Sequence, residues 1–170
     1  MERLHSPWRS KYIESFKGNA PKEDRCIFCA ALENHNDKER LVVHRGKLAF
    51  IIMNLYPYNS GHMMIVPNRH TADFRSLTPD ELAECSLLLQ RAQSALDDMS
   101  HPHGYNIGMN LGKAGGAGIE EHLHWHIVPR WNGDTNFMPT IADIKIVSGD
   151  MERQWEKLRT FFSRIPGVKA

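Results

Sequence analysis

No stretch of this 170-residue chain reaches the roughly 20 apolar residues of a membrane span. The opening residues, MERLHSPWRSKYIESFK, are charged throughout and have none of the apolar core of a signal peptide. A cytoplasmic, membrane-free protein is therefore expected. Charge of one sign is also scarce. The formal net charge is +1, with no long basic run. That argues against a broad footprint for nucleic acid, yet leaves room for a small anion at a local positive site. Cysteine is sparse and odd in number, at three. A disulfide framework is not expected, and Cys26 and Cys29 in CIFC read better as a metal or redox pair. No internal repeat or low-complexity tract is present.

What remains is ordinary globular material, 41% hydrophobic and 24% charged, long enough for one domain with a sizeable core. A single domain over 1–170 is expected, with an N-terminal segment 1–40 carrying CxxC, a core 41–130 and a C-terminal extension 131–170. Residues 1–24 suggest irregular or helical packing. Short apolar, β-branched runs predict strands over 41–44, 47–54, 62–67, 105–111 and 123–128, with a hairpin turn at Arg45-Gly46. LTPDELAECSLLLQRAQSALDDM predicts a helix over 77–99. Thr78 caps it, Pro79 takes the first helical position and Glu81 completes a capping box. Leu82, Cys85, Leu89, Ala92 and Leu96 make its expected apolar face. A last helix is expected over 149–165. Strands, helix, strands and helix joined by short connections favour an α+β fold with about five antiparallel strands and two helices.

The chemistry concentrates in EHLHWHIVPR. His122, His124 and His126 alternate, so on a strand they share one face, about 6.6 Å apart pair by pair. Leu123, Trp125 and Ile127 take the other face, and Pro129 is expected to end the ladder. Such a row could ligate a metal, attack phosphorus through a neutral imidazole, or merely decorate a strand. The loop GKAGGAG at 112–118 lies just before it. Glycines there let backbone N–H groups approach an anion, and Lys113 adds positive charge. A phosphate cradle joined to a row of imidazoles points to phosphoryl or nucleotidyl transfer.

HLHWHIV resembles the signature of the histidine-triad superfamily, His-x-His-x-His followed by apolar residues. AFIIMNLYPYNSGHMMIVPNRH is similar to that family's strand–loop–strand segment. SPWRSKYI and WNGDTNFMP resemble the branch of bacterial diadenosine tetraphosphate phosphorylases. The resemblance covers roughly residues 6 to 140. It implies that His124 is the nucleophile taking a nucleoside monophosphate, with its tautomer fixed by a backbone carbonyl, and that His126 contacts the leaving oxygen. It also implies that Asn54 binds ribose, that Asn110 contacts phosphate, and that Ile52 and Leu55 line the base pocket. As a bare residue, Asn54 also reads as a loop cap. Gly116, Ala117 and Gly118 stand where many family hydrolases carry a Gln. Its loss favours inorganic phosphate over water as acceptor. A homodimer is implied as well.

Some branches of the family pair a CxxC with a PxxH histidine and the first triad histidine. Here that set is Cys26, Cys29, His70 and His122, suited to a structural zinc, with no cofactor required for the chemistry itself. His35 and His44 remain substitute ligands. Trp131 could stack on a base or anchor the chain. Cys85 reads as helix-face packing, and His101 and His103 as turn residues. Two rival classes stay open: a metallohydrolase using the triad as ligands, and a non-catalytic nucleotide-binding protein.

Overall fold

The computed structural model describes residues 25–134 and 150–164. The expected packing of residues 1–24, and most of WNGDTNFMP, lie outside the described residues. Five strands form one antiparallel sheet: β1 (Val42–Arg45), β2 (Ala49–Met53), β3 (Met63–Pro67), β4 (Gly104–Met109) and β5 (Trp125–Arg130). Their spatial order is β1-β2-β3-β5-β4. Four helices accompany them: α1 (Ile27–Glu33), α2 (Asp37–Arg40), α3 (Pro79–Ser100) and α4 (Met151–Ser163). This is the expected α+β architecture, with α1 and α2 added in the segment that carries CxxC.

The two central strands β2 and β3 are buried along their whole lengths, so both faces of the sheet are covered. Their side chains sort by the period of two. Ile51, Met53, Met63, Ile65 and Ile127 pack beneath α3 and α4 with Cys85, Leu88, Leu96, Leu158 and Phe162. Phe50, Ile52, Met64 and Val66 pack on the opposite face, with Phe28 and Ala31 of α1. Register lays one row across that second face: Val42 opposite Ile52, Ile52 opposite Met64, Met64 opposite His126, and His126 opposite Gly108. An apolar floor thus leads to the His126 imidazole and ends in open space, since nothing lies within 4 Å of where a Cβ on Gly108 would stand.

Helix α3 begins as its sequence dictates. Thr78 accepts from the Glu81 N–H, the Glu81 side chain accepts from the Thr78 N–H, and Pro79 opens the helix. Arg69 holds the same Glu81 carboxylate through two N–H groups. The buried face is rotated from the expected one. Leu88 and Ala95 join Cys85, Ala92 and Leu96, while Leu82 and Leu89 are only half-buried. Gly61, in the turn before β3, has φ +81, and a Cβ there would meet Leu96 Cδ2 at 2.8 Å. Only glycine relieves both constraints.

Two expectations about the histidine strand need correction. Pro129 does not end the ladder, because β5 continues to Arg130 against β4. Pro129 stands past the last β3 partner, where the missing N–H is tolerated. His122 and His124 precede β5, which starts at Trp125. They are not on an open strand face but are buried under α1, with both rings against Phe28.

Candidate active site

His124 Nδ1 lies 2.9 Å from the His122 carbonyl oxygen. A carbonyl can only accept, so Nδ1 carries the proton and Nε2 keeps its lone pair. Burial depresses the pKa of His124 below the ordinary imidazole value, against the raising effects of that hydrogen bond and of the Glu121 charge. The ring is neutral and oriented at physiological pH, as an attacking imidazole must be.

His126 sits beside it, ring centroids 4.9 Å apart. Its tautomer is set from outside the triad. The Tyr58 backbone N–H donates to His62 Nδ1 at 3.1 Å. His62 Nε2 therefore carries the proton and donates to His126 Nδ1, 3.0 Å away. His126 is left with its proton on Nε2. Burial, then the nearby His124, push its pKa down to about 4. The neighbouring imidazoles thus present a lone pair and an N–H, complementary roles on one cleft.

The cleft, about 410 Å³, is lined by both histidines and by Ile52, Asn54 and Leu55. Asn110, Gly116 and Gly118 also line it. Ala117 and Trp131 do not. Trp131 instead donates its indole N–H to the Ser100 carbonyl, the anchoring role. Asn54 keeps a loop-capping role while facing the cleft: its Oδ1 accepts from the Tyr56 N–H at 2.9 Å. Asn110 Nδ2 donates to the Gly116 carbonyl at 3.2 Å and ties the Gly-rich loop closed. That loop spends the N–H groups of Gly115, Gly116 and Ala117 on its own turns. Among the described residues the N–H groups of Gly118 and Ile119, both lining the cleft, make no such bond, and Lys113 is not among the lining residues.

Beyond the triad lies a second cluster, Cys26, Cys29, His70 and His122, whose ligand atoms all fall within 4.8 Å of one another. His122 Nε2 donates to the Pro67 carbonyl at 2.9 Å, so its Nδ1 lone pair faces the thiols. That Nδ1 is 3.3 Å from Cys26 Sγ and 3.7 Å from Cys29 Sγ. His70 Nδ1 is 3.3 Å from Cys29 Sγ. A tetrahedron with ordinary zinc–sulfur and zinc–nitrogen bonds has S···N edges of roughly 3.5 Å. The donor set and its spacing fit zinc. His35 is exposed and His44 stacks on Phe162, so neither substitutes.

Residues 35–133 match the HIT domain. The chain is also 38% identical to the AP-4-A phosphorylase of Mycobacterium tuberculosis strain H37Rv, over 98% of this chain and 87% of that one.

The chain belongs to the HIT family.

Among solved structures, a Zn-bound histidine triad family protein from Mycobacterium smegmatis is similar with a TM-score of 0.67 and 28% identity. It covers 83% of this chain and 95% of that one. A hypothetical histidine triad nucleotide-binding protein from Sulfolobus tokodaii shares the fold, with a TM-score of 0.64 at 23% identity over 81% of this chain and 92% of that one. No helix among the described residues is long and apolar enough to cross a membrane.

Sequence reasoning gave no role to three residues of the site. His62 was visible only as the histidine after Gly61. Arg40 lines the cleft at the end of α2, its Nε buried without a hydrogen-bond partner among the described residues. Phe28, inside CxxC, packs its ring against both His122 of the metal cluster and His124.

Proposed function

We propose that this protein is a nucleotidyltransferase that cleaves dinucleoside polyphosphates of the diadenosine tetraphosphate type at the α-phosphate. The observation that carries this reading is the pair of opposed tautomers, a lone pair on His124 Nε2 beside an N–H on His126 Nε2. A metal-ligating triad would want lone pairs from all three rings. The AP-4-A phosphorylase relative supports the substrate class.

His124 Nε2 attacks the α-phosphorus, and the bond to the bridging oxygen breaks. Positive charge develops on the His124 ring, where the His122 carbonyl accepts the Nδ1–H more strongly. His126 hydrogen-bonds the departing oxygen. The leaving nucleotide departs ionised, so no proton need pass to it. Inorganic phosphate then attacks the same phosphorus and breaks the P–N bond, releasing a nucleoside diphosphate and neutral His124. Ile52 and Leu55 would hold the base, Asn54 the ribose, and Asn110 with Gly116, Ala117 and Gly118 would shape the phosphate loop. The absence of a Gln in that loop removes a side chain able to orient water, which favours phosphate as acceptor.

Zinc would be held by Cys26, Cys29, His70 and His122, tying α1 to the end of β3 and to the triad. It supplies structural cross-linking and no catalytic step. A homodimer is also expected. Among the described residues β4 has no strand on its outer edge, and Ile107 there is 50% exposed.

The test is product analysis with diadenosine tetraphosphate. ADP plus ATP forming only with phosphate supports phosphorolysis, and AMP plus ATP without phosphate means hydrolysis. If His124→Ala retains either activity, the covalent mechanism is wrong.

A further inference from the structure

His62 is tied to its own turn at three points. Its backbone N–H donates to the Asn59 carbonyl at 3.1 Å, its carbonyl accepts from the Asn54 N–H at 3.0 Å, and its ring accepts from the Tyr58 N–H. The imidazole therefore moves with turn 58–62 as one body. What fixes that turn in the molecule comes from outside it.

β3 starts at Met63, opposite Ile127, so among the described residues the turn makes no ladder pair with Val128 or Pro129. Two side chains take the ladder's place. Asn59 is buried, and its Nδ2 donates to the Pro129 carbonyl at 2.9 Å and to Asp134 Oδ2 at 2.8 Å. Both of its amide hydrogens are thereby used. Arg130 holds the same Asp134 carboxylate through Nε and Nη2. From another direction, Gln154 Oε1 accepts from the buried Gly61 N–H at 2.8 Å.

Gln154 is on α4, which lies wholly beyond the residues that match the HIT domain. The helix is firmly seated. Leu158 and Phe162 are fully buried, Trp155 donates its indole N–H to the Val42 carbonyl at 2.9 Å, and Arg159 donates to the Val43 carbonyl at 3.2 Å. A rigid element thus delivers one acceptor to the loop that carries His62. Small movements of that loop matter. The His62–His126 contact is 3.0 Å long. An outward displacement of roughly 0.6 Å takes it to a length at which it is no longer a hydrogen bond.

We propose that Gln154 and Asn59 are positioning residues for the transfer reaction: they clamp turn 58–62 between α4 and β5, and so hold the His62 Nε2–H on His126. This rests on the reading of His126 given above. Neither residue lines the cleft, and their effect passes through His62. Without the Gln154 acceptor a buried N–H is left unpaired, and the turn relieves that cost by moving toward another acceptor. His62 goes with it, and His126 regains both tautomers.

The experiment uses Gln154→Leu, a good helix former of similar size that removes the acceptor. Gln154→Glu keeps an acceptor oxygen, and Asn59→Ala is an independent variant. The first readout is the nitrogen NMR spectrum of the full chain with isotope-labelled histidine, which reports each ring's tautomer without substrate. Wild type should show His62 and His126 protonated on Nε2. In Gln154→Leu and Asn59→Ala the His126 signals should move toward a mixture of tautomers, and Gln154→Glu should keep the wild-type pattern. The second readout is single-turnover adenylylation by diadenosine tetraphosphate. Its rate should fall about tenfold in Gln154→Leu and Asn59→Ala, the weight of one hydrogen bond, with KM within about threefold of wild type. In a His62→Ala background the same substitutions should change the rate by less than about twofold, because the path they act through is gone. A His126 tautomer unmoved in both variants, or losses that multiply with that of His62→Ala, overturns the proposal. Wild-type protein with these tautomers that forms no nucleotidyl adduct overturns instead the reading on which it rests.

Discussion

His62 donates its Nε2–H to His126 Nδ1 across 3.0 Å, although 64 residues separate them in the chain. One hydrogen bond on the far side of His62, from the Tyr58 backbone N–H, fixes the direction of that donation. The loop between β2 and β3 thereby determines which nitrogen of His126 presents a proton to the cleft.

Replacing His62 should damage catalysis more than binding. His62→Ala frees His126 to take either tautomer and removes the buried donor that its Nδ1 needs. The single-turnover rate of adenylylation should fall by about 10²-fold, the usual cost of losing one preorganised donor, with KM for the dinucleotide changed by no more than about threefold. A KM effect alone would mean His62 shapes the pocket and does not position His126.

Activity should persist well below neutral pH. His126 must stay neutral to act as described, and its pKa is pushed down to about 4. Burial lowers that of His124 as well. Protonation of either ring switches it off, so kcat should hold through pH 6 and decline only on approach to the lowered values. An acid limb centred near the ordinary imidazole value would show that these rings are more solvated than their burial implies.

Stability has its own acid dependence, centred on His44. This residue is 2% exposed, its ring stacks on Phe162, and its Nδ1 has no hydrogen-bond partner among the described residues. Burial, then Arg91 and Arg159, lower its pKa from 6.5 to about 4. Between those values the unfolded chain binds a proton that the folded chain does not, so stability rises with pH across that window. On falling from pH 7 to 4 the protein should lose on the order of 3 kcal/mol from this residue. His44→Leu should flatten the pH dependence of the urea midpoint. An unchanged slope would remove His44 as its source.

Metal removal should separate structure from chemistry. One zinc per chain is expected in the protein as isolated, and none in Cys26→Ser/Cys29→Ser. Chelation should lower Tm while adenylylation at permissive temperature survives, because neither His124 nor His126 belongs to the cluster. Immediate and complete loss of adenylylation, restored by zinc, would favour the rival metallohydrolase.

Much of this site was readable because local spacing encodes it. The alternation of His122, His124 and His126 delivered three rings with separate partners, and Thr78 with Glu81 marked the start of α3. The CxxC pair met His70 and His122 as the family resemblance implied. The unreadable parts depend on contacts between distant segments. His62 gained its role only when β3 paired with β5. Phe28 lay hidden between two cysteines and covers two triad rings. The burial of His122 and His124 follows from α1 lying over them, so strand alternation alone described their surroundings wrongly. Trp131 followed its indole N–H to the Ser100 carbonyl, away from the cleft.

The central claim is covalent transfer through His124, and trapping the adduct tests it most directly. Protein mixed with diadenosine tetraphosphate without phosphate, quenched in alkali to preserve a P–N bond, should gain the mass of one adenylyl group. The modification should map to His124, be absent from His124→Ala, and discharge to ADP when phosphate is added. An adduct on another residue, or turnover of the substrate with no adduct in wild type, would contradict the account.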